Sequence, residues 1–381
     1  MPNNVVDVTR PEQWNDVLRA LESVRELAVD VEADSMHHFR ARLCFVQLGT
    51  DADIFLSDTL AEGVTPRALE KIFADANVTK FFHAAQGDLQ YLAEAGVRVR
   101  GLFDTHRAVT LLGWPKNGLA DLVKEKLGAT LKKEHQQADF SIRPLPPELR
   151  EYIADDVRYL SEVGRWVREA CVTADILEEV LLDCERFCDE AAARPDPANG
   201  FSPKLQRQNM SKETLTVAWH VAQELHRRRL AWAEAADVPM GRMLSNMAVS
   251  AIAQKLPADA RALAKCEGVR GVIVREHGDE ILAMLLKVQA DVKSGALSMP
   301  DEKKDRDPKR RKREEVLMDW RKKRATERKV TPSVVLSNAL VDELATTPPV
   351  DVENLSKVPY FGQKRLTRDG ASLVEVLAPY R

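Results

Sequence analysis

Two carboxylates set two residues apart inside an apolar run constrain this chain more than any other feature. Asp30 and Glu32 interrupt Leu27-Ala28-Val29-Asp30-Val31-Glu32, a stretch of strand length and composition. Side chains on a strand alternate between faces, so both acids emerge on the same side. Like charges on one buried face repel unless a cation or another partner sits between them. A fold that keeps this segment must bring compensating chemistry to that face.

Two other segments carry acids beside apolar residues. Asp88 lies in FHAAQGDLQYL, near the start of a helix-like pattern, where an acid can also serve simply as a cap for the helix dipole. Tyr152 and Asp156 lie four apart in EYIADDVRYL, on one helix face, a spacing equally compatible with an amphipathic surface pair. Taken together, three segments converging on one cation form the arrangement that two-metal hydrolysis of phosphodiesters requires.

The first 170 residues alternate strand and helix signals. Strands are expected at Leu27–Val31, Leu43–Leu48, Ile54–Leu56, Val78–His83 and Val97–Phe103, with Gly49-Thr50-Asp51 as a turn. Apolar spacing predicts helices near 66–75, 86–95, 104–113, 118–127 and 146–170. Beyond about residue 173 no strand is expected. Pro/Gly-rich ARPDPANGFSP and charged DEKKDRDPKRRKR mark two linkers. The segments after them match at a constant offset of 92 residues: Leu244-Ser245-Asn246 with Leu336-Ser337-Asn338, Pro257 with Pro349, Leu263 with Leu355 and Leu285 with Leu377. This predicts a duplicated helical module.

The bulk composition is that of an ordinary globular protein, 44% hydrophobic and 30% charged. No apolar run is long enough to span a bilayer and no secretory signal is recognisable, so no membrane association is expected. The five scattered cysteines read as free thiols of a reducing cytosol, which makes the expected location cytoplasmic. The net charge of −3 hides an asymmetry: residues 303–329 hold fourteen Lys/Arg against six Asp/Glu, a net of +8, leaving −11 elsewhere. Such a segment is either a solvated charged helix or a surface for an anionic partner.

The ordered set D-x-E, H-x4-D and Y-x3-D supports a family resemblance. VDVEADSMHHFRARLCFVQLGT, FFHAAQGDLQYLAEAGVRVRGLFDT and QQADFSIRPLPPELREYIADDVRYL resemble the three exonuclease motifs of the ribonuclease D family, in the tyrosine branch of the DEDD superfamily of 3′→5′ exonucleases. The two helical repeats resemble HRDC modules. The resemblance implies an α/β exonuclease domain, RNase H-like with a mixed sheet flanked by helices, followed by two all-α HRDC modules. Its boundaries would be 1–172 for the exonuclease domain, 173–208 for a helix and linker, 209–292 for the first module, 293–312 for a charged linker and 313–381 for the second.

By the same resemblance Asp30, Glu32, Asp88 and Asp156 would bind two divalent cations, magnesium or manganese, and Tyr152 would orient the attacking water and help deprotonate it. The family's usual A-D-W-x-x-R-P-L reads Ala138-Asp139-Phe140-Ser141-Ile142-Arg143-Pro144-Leu145, and packing is expected to survive Phe in place of Trp. The implied activity is trimming of RNA 3′ ends, tRNA precursors and other small structured RNAs among them, by a monomer that releases nucleoside 5′-monophosphates. A 3′→5′ DNA exonuclease or an idle nucleic-acid scaffold are the alternatives. Substrate contacts are expected from His37, His83, Lys133, Gln136 and Arg143, and RNA holding from the basic run around 309–324 and Arg227-Arg228-Arg229.

Overall fold

The computed structural model describes residues 4–131, 134–191, 201–206, 210–299 and 307–381. Six strands form one mixed sheet: β1 (Asn4–Val8), β2 (Glu26–Ala33), β3 (Leu43–Gly49), β4 (Asp53–Asp58), β5 (Thr79–Phe82) and β6 (Leu102–Asp104). Their spatial order is β1-β4-β3-β2-β5-β6. The β2–β3–β4 meander is antiparallel, and β1, β5 and β6 join in parallel. The strand β2, which carries Asp30 and Glu32, is therefore internal and has hydrogen-bonding neighbours on both sides.

Three features differ from the sequence reading. The edge strand β1 went unread because its partner β4 lies 49 positions further along the chain. The expected strand 97–103 shrinks to Leu102–Asp104, since Gly101 takes a positive φ of 67° and breaks the extended run. The expected helix 146–170 is two helices, Pro147–Arg158 and Leu160–Thr173, interrupted at Tyr159.

The chain divides into two compact units. One contains the sheet, its flanking helices and residues 305–381, and the other contains residues 34–42 and 195–304. The second helical repeat thus belongs to the same unit as the sheet. Val334 lies in the main core, Thr331 Oγ1 donates to Leu111 O at 2.9 Å, and the Tyr360 hydroxyl donates to Asp189 at 2.7 Å. Lys364 and Arg368 both pair with Asp175, at 2.6 and 2.9 Å. Gly362 lies so close to Leu182 that a Cβ would approach it to 2.5 Å.

Each repeat is built around a buried arginine. Arg229 is fully buried; it donates to Leu244 O at 2.8 Å and to Asn246 Oδ1 at 2.6 Å. At the same offset of 92, Arg321 donates to Leu336 O at 3.0 Å and to Asn338 Oδ1 at 2.8 Å. Between the gripped residues, Ser245 and Ser337 cap the helices Asn246–Lys255 and Asn338–Thr346 by accepting from the third residue on. The Leu-Ser-Asn triplet is thus one device: a carbonyl and an amide that satisfy a buried guanidinium, and a hydroxyl that starts a helix.

Part of each basic cluster serves the fold. Arg229, Arg313 and Arg321 are buried, and Arg313 donates to Ala345 O and Tyr380 O. Arg227 and Arg228 pair with Glu224, and Arg324 pairs with Asp369. Trp320 donates to Ser372 Oγ at 3.0 Å.

Replacing Arg321 with Ala strands the Leu336 carbonyl and the Asn338 amide. A loss of about 2–4 kcal/mol in unfolding free energy is expected by urea denaturation. Arg321→Lys should recover only part of it, because an ammonium cannot reach both acceptors as a planar fork does.

Candidate active site

The internal strand β2 presents Asp30 and Glu32 toward the Pro147–Arg158 helix, which packs across β2, β3 and β4. That helix comes close because β3 ends in Gly49, where a Cβ would stand 2.8 Å from the Val157 carbonyl oxygen. Tyr152 and Asp156, one turn apart, consequently overhang the two strand acids. Asp30, Glu32 and Asp156 each offer a carboxylate oxygen, and these oxygens lie within 4.8 Å of one another. They line a cleft of about 340 Å³ together with Tyr152, His83 and Gln136.

Burial is the largest influence on these acids. It pushes Asp30 up to about 7, opposed by a backbone hydrogen bond at Val31. It pushes Glu32 up to about 10, with Asp30, Asp156 and Asp88 adding repulsion. Asp156 and Asp88 are raised well above the carboxylate range by burial and then by Asp30. An all-oxygen donor set in which every member is driven toward the neutral form fits a hard divalent cation, which would relieve both the desolvation and the repulsion.

Asp88 stands in the first turn of the Gln86–Glu94 helix and outside the close triad, although its charge is felt at Glu32. The Tyr152 ring lies over Phe140, with centroids 6.2 Å apart and planes at 21°, and meets the His135 ring edge-on at 5.7 Å. Phe140 is 2% exposed, so the expected packing at this substituted position is present. The Tyr152 phenol is driven upward by burial and then by Asp156, Glu32 and Asp30.

The expected substrate contacts divide. Gln136 and His83 line the cleft. Arg143 does not: its guanidinium holds Asp58 through Nε at 2.6 Å and Nη2 at 2.7 Å, donates to Phe140 O and Ile142 O, and lies over the Phe45 ring. These internal acceptors occupy it, so its assignment to substrate is corrected. His37 belongs to the 34–42 segment of the other unit, where its N–H donates to Asp34 O. Lys133 lies outside the described residues. Trp114 packs on Trp166 at 4.7 Å.

Asp104 went unrecognised in the sequence. It is 2% exposed; Oδ1 accepts from the backbone N–H of Ala84 and Oδ2 from that of Ala85, both at 3.0 Å, while Oδ1 also accepts from Arg107 N at 3.1 Å. It thereby holds Ala84 at a left-handed φ of 66° and aims the following helix, with Asp88, toward β2. Its only linear signal is a helix-capping position after Leu102-Phe103.

A 3′-5′ exonuclease family model matches residues 5–165, and an HRDC domain model matches residues 220–285 and 310–377. Ribonuclease D of Gluconacetobacter diazotrophicus is 29% identical over 375 residues, spanning 97% of this chain and 94% of that protein. Ribonuclease D of Acidiphilium cryptum is 30% identical over 271 residues, spanning 70% of this chain and 67% of that protein. This chain belongs to the ribonuclease D family. The solved ribonuclease D of Escherichia coli shares the fold over 99% of each chain, with a TM-score of 0.67 at 22% identity. As a member of this family the chain is a 3′→5′ exoribonuclease; the family depends on a divalent metal, and Asp30, Glu32 and Asp156 form the acidic cluster available to hold one.

The raised carboxyls fix the sign of a pH effect. They retain protons in the folded state that the unfolded chain has released, so without metal their contribution to stability is full below about 4. It is lost as the pH rises through about 7 at Asp30 and toward about 10 at Glu32. In EDTA at pH 8, Asp30→Asn should therefore melt about 2–4 °C above the unsubstituted protein, with a smaller gap at pH 5. The variant should also lose most of the rise in Tm that a divalent salt produces in the unsubstituted protein. Thermal denaturation at the two pH values checks both.

Proposed function

We propose that this protein hydrolyses RNA from the 3′ end with two divalent cations, magnesium or manganese, releasing nucleoside 5′-monophosphates. The natural substrates under this reading are small structured RNAs, tRNA precursors among them, and the enzyme works as a cytoplasmic monomer. Residues 1–172 are read as the hydrolytic domain, 209–292 and 313–381 as the two HRDC modules, and 173–208 and 293–312 as the connections. The observation that carries the reading is the meeting of Asp30, Glu32 and Asp156 oxygens, from a strand and a helix, in a cleft that Tyr152 overlooks.

Asp30, Glu32 and Asp156 would hold the cations, with Asp88 completing the set from the neighbouring helix turn. When bound, the cations supply Lewis acidity at the scissile phosphate and offset the charge that develops on it. Tyr152 orients the attacking water through its hydroxyl, and Phe140 and His135 fix the ring that carries it. Help in deprotonating that water, also expected from the motif, would come from the same hydroxyl.

A 5′-labelled single-stranded RNA and its DNA counterpart, each incubated with magnesium, with manganese and with EDTA, test the reading. The expected result is a ladder shortening from the 3′ end of RNA and abolished by EDTA. Equal cutting of DNA would mark a general exonuclease, and no cutting with either metal would mark a scaffold. Asp30→Asn should lower kcat by about a thousandfold, as expected for loss of a charged ligand, and Tyr152→Phe by about a hundredfold. Activity that survives Asp30→Asn would remove this acid from the metal site.

A further inference from the structure

His83 lines the cleft with the acids, yet the hydrolytic scheme gives it no task. Its protonation is fixed by its neighbours. The Thr105 hydroxyl donates its single proton to Phe82 O at 2.9 Å, so the 2.9 Å contact between Thr105 Oγ1 and His83 Nδ1 requires the ring nitrogen to be the donor. Nε2 is left as a bare acceptor, for which the described residues provide no donor. Burial, reinforced by the His106 ring packed edge-on at 5.5 Å, lowers His83 to about 4, so the ring is neutral under working conditions.

A neutral acceptor among carboxylates cannot bind phosphate and needs an O–H or N–H from the substrate. A phosphodiester supplies none, and the terminal sugar does: a deoxyribose end offers the 3′-hydroxyl alone, while a ribose end offers a 2′-hydroxyl as well. We propose that His83 Nε2 accepts a hydrogen bond from the 2′-hydroxyl of the 3′-terminal nucleotide, and so makes the site prefer RNA. Thr105 is then a positioning residue, holding the ring in the tautomer that can accept. This inference rests on the exoribonuclease reading of the cleft.

The test compares kcat/KM for an RNA oligonucleotide with that for the same chain bearing a terminal 2′-fluoro sugar, which keeps the ribose pucker and removes the donor. The unsubstituted enzyme should prefer the ribose end by about tenfold, the size of one hydrogen bond. His83→Ala should slow the ribose substrate by about tenfold and the fluoro substrate by less than about twofold. His83→Phe, which keeps the ring and its contact with His106, should behave the same and stands in if the Ala variant does not fold. His83→Gln, which can present an oxygen near Nε2, should restore part of the preference. Penalties that simply multiply, or a coupling that appears only with a 3′-deoxy end, would overturn the assignment. An unsubstituted enzyme inactive on RNA with both metals would instead overturn the exoribonuclease reading beneath it.

Discussion

The shared burial of Asp30, Glu32 and Asp156 is the constraint around which the rest of this molecule is arranged. Three acids with oxygens within 4.8 Å are pushed toward protonation by burial, and Glu32 and Asp156 also by the charge of Asp30. Such a group holds together only if the backbone carrying it resists spreading. β2 is pinned by strands on both sides, and Gly49 lets the Pro147–Arg158 helix settle against the sheet. Asp104 clamps the turn leading to Asp88, and the Phe140 ring fixes Tyr152 from behind. The strain is a property of the metal-free state, and a bound cation converts it into affinity, since the ligands are already gathered and already short of water.

Where the acids gather around one cleft, the bases disperse into the structure. The net of +8 at residues 303–329 suggested a surface for an anionic partner. In the fold, Arg313 and Arg321 turn inward to backbone carbonyls, and Arg324 and Arg328 face the buried Asp369. Exposed Arg311, Lys312, Lys322 and Lys323 remain as outward charge on this helix. Several of these bases therefore serve the fold as well as adding to its charge.

Strand and ligand patterns were legible because they are local. A period of two places Asp30 and Glu32 on one face, and a period of 3.6 pairs Tyr152 with Asp156, whatever the surroundings. What escaped the sequence depends on partners far along the chain. β1 is a strand only because β4 accepts it, and Arg143 is structural only because Asp58 lies 85 residues away. Asp104 looks like any helix cap until its two backbone partners, twenty residues earlier, come into view. The basic run is only partly legible for a related reason: charge adds up along a sequence regardless of direction, whereas an arginine on a helix is free or buried according to the face it occupies.

The duplicated module separates what such a fold must keep from what it can exchange. The grip of Arg229 on Leu244 and Asn246 recurs at Arg321, Leu336 and Asn338 with the same chemistry. Two other helix-to-helix contacts recur in position with different chemistry. Arg228 pairs with Glu280 in the first copy, whereas Trp320 donates to Ser372 in the second. Trp232 stacks on His277 at 4.0 Å, whereas Arg324 pairs with Asp369 at 3.1 Å. A contact between two side chains can be rewritten as a pair, since each partner answers only to the other. A buried guanidinium answers to a backbone carbonyl as well, and no substitution moves a carbonyl. The charges that bind the second copy to the sheet unit, Lys364 and Arg368, have Val272 and Glu276 at the matching places in the first. The core device is thus held fixed by the backbone, while the surface chemistry that determines what each copy binds has changed from one copy to the other.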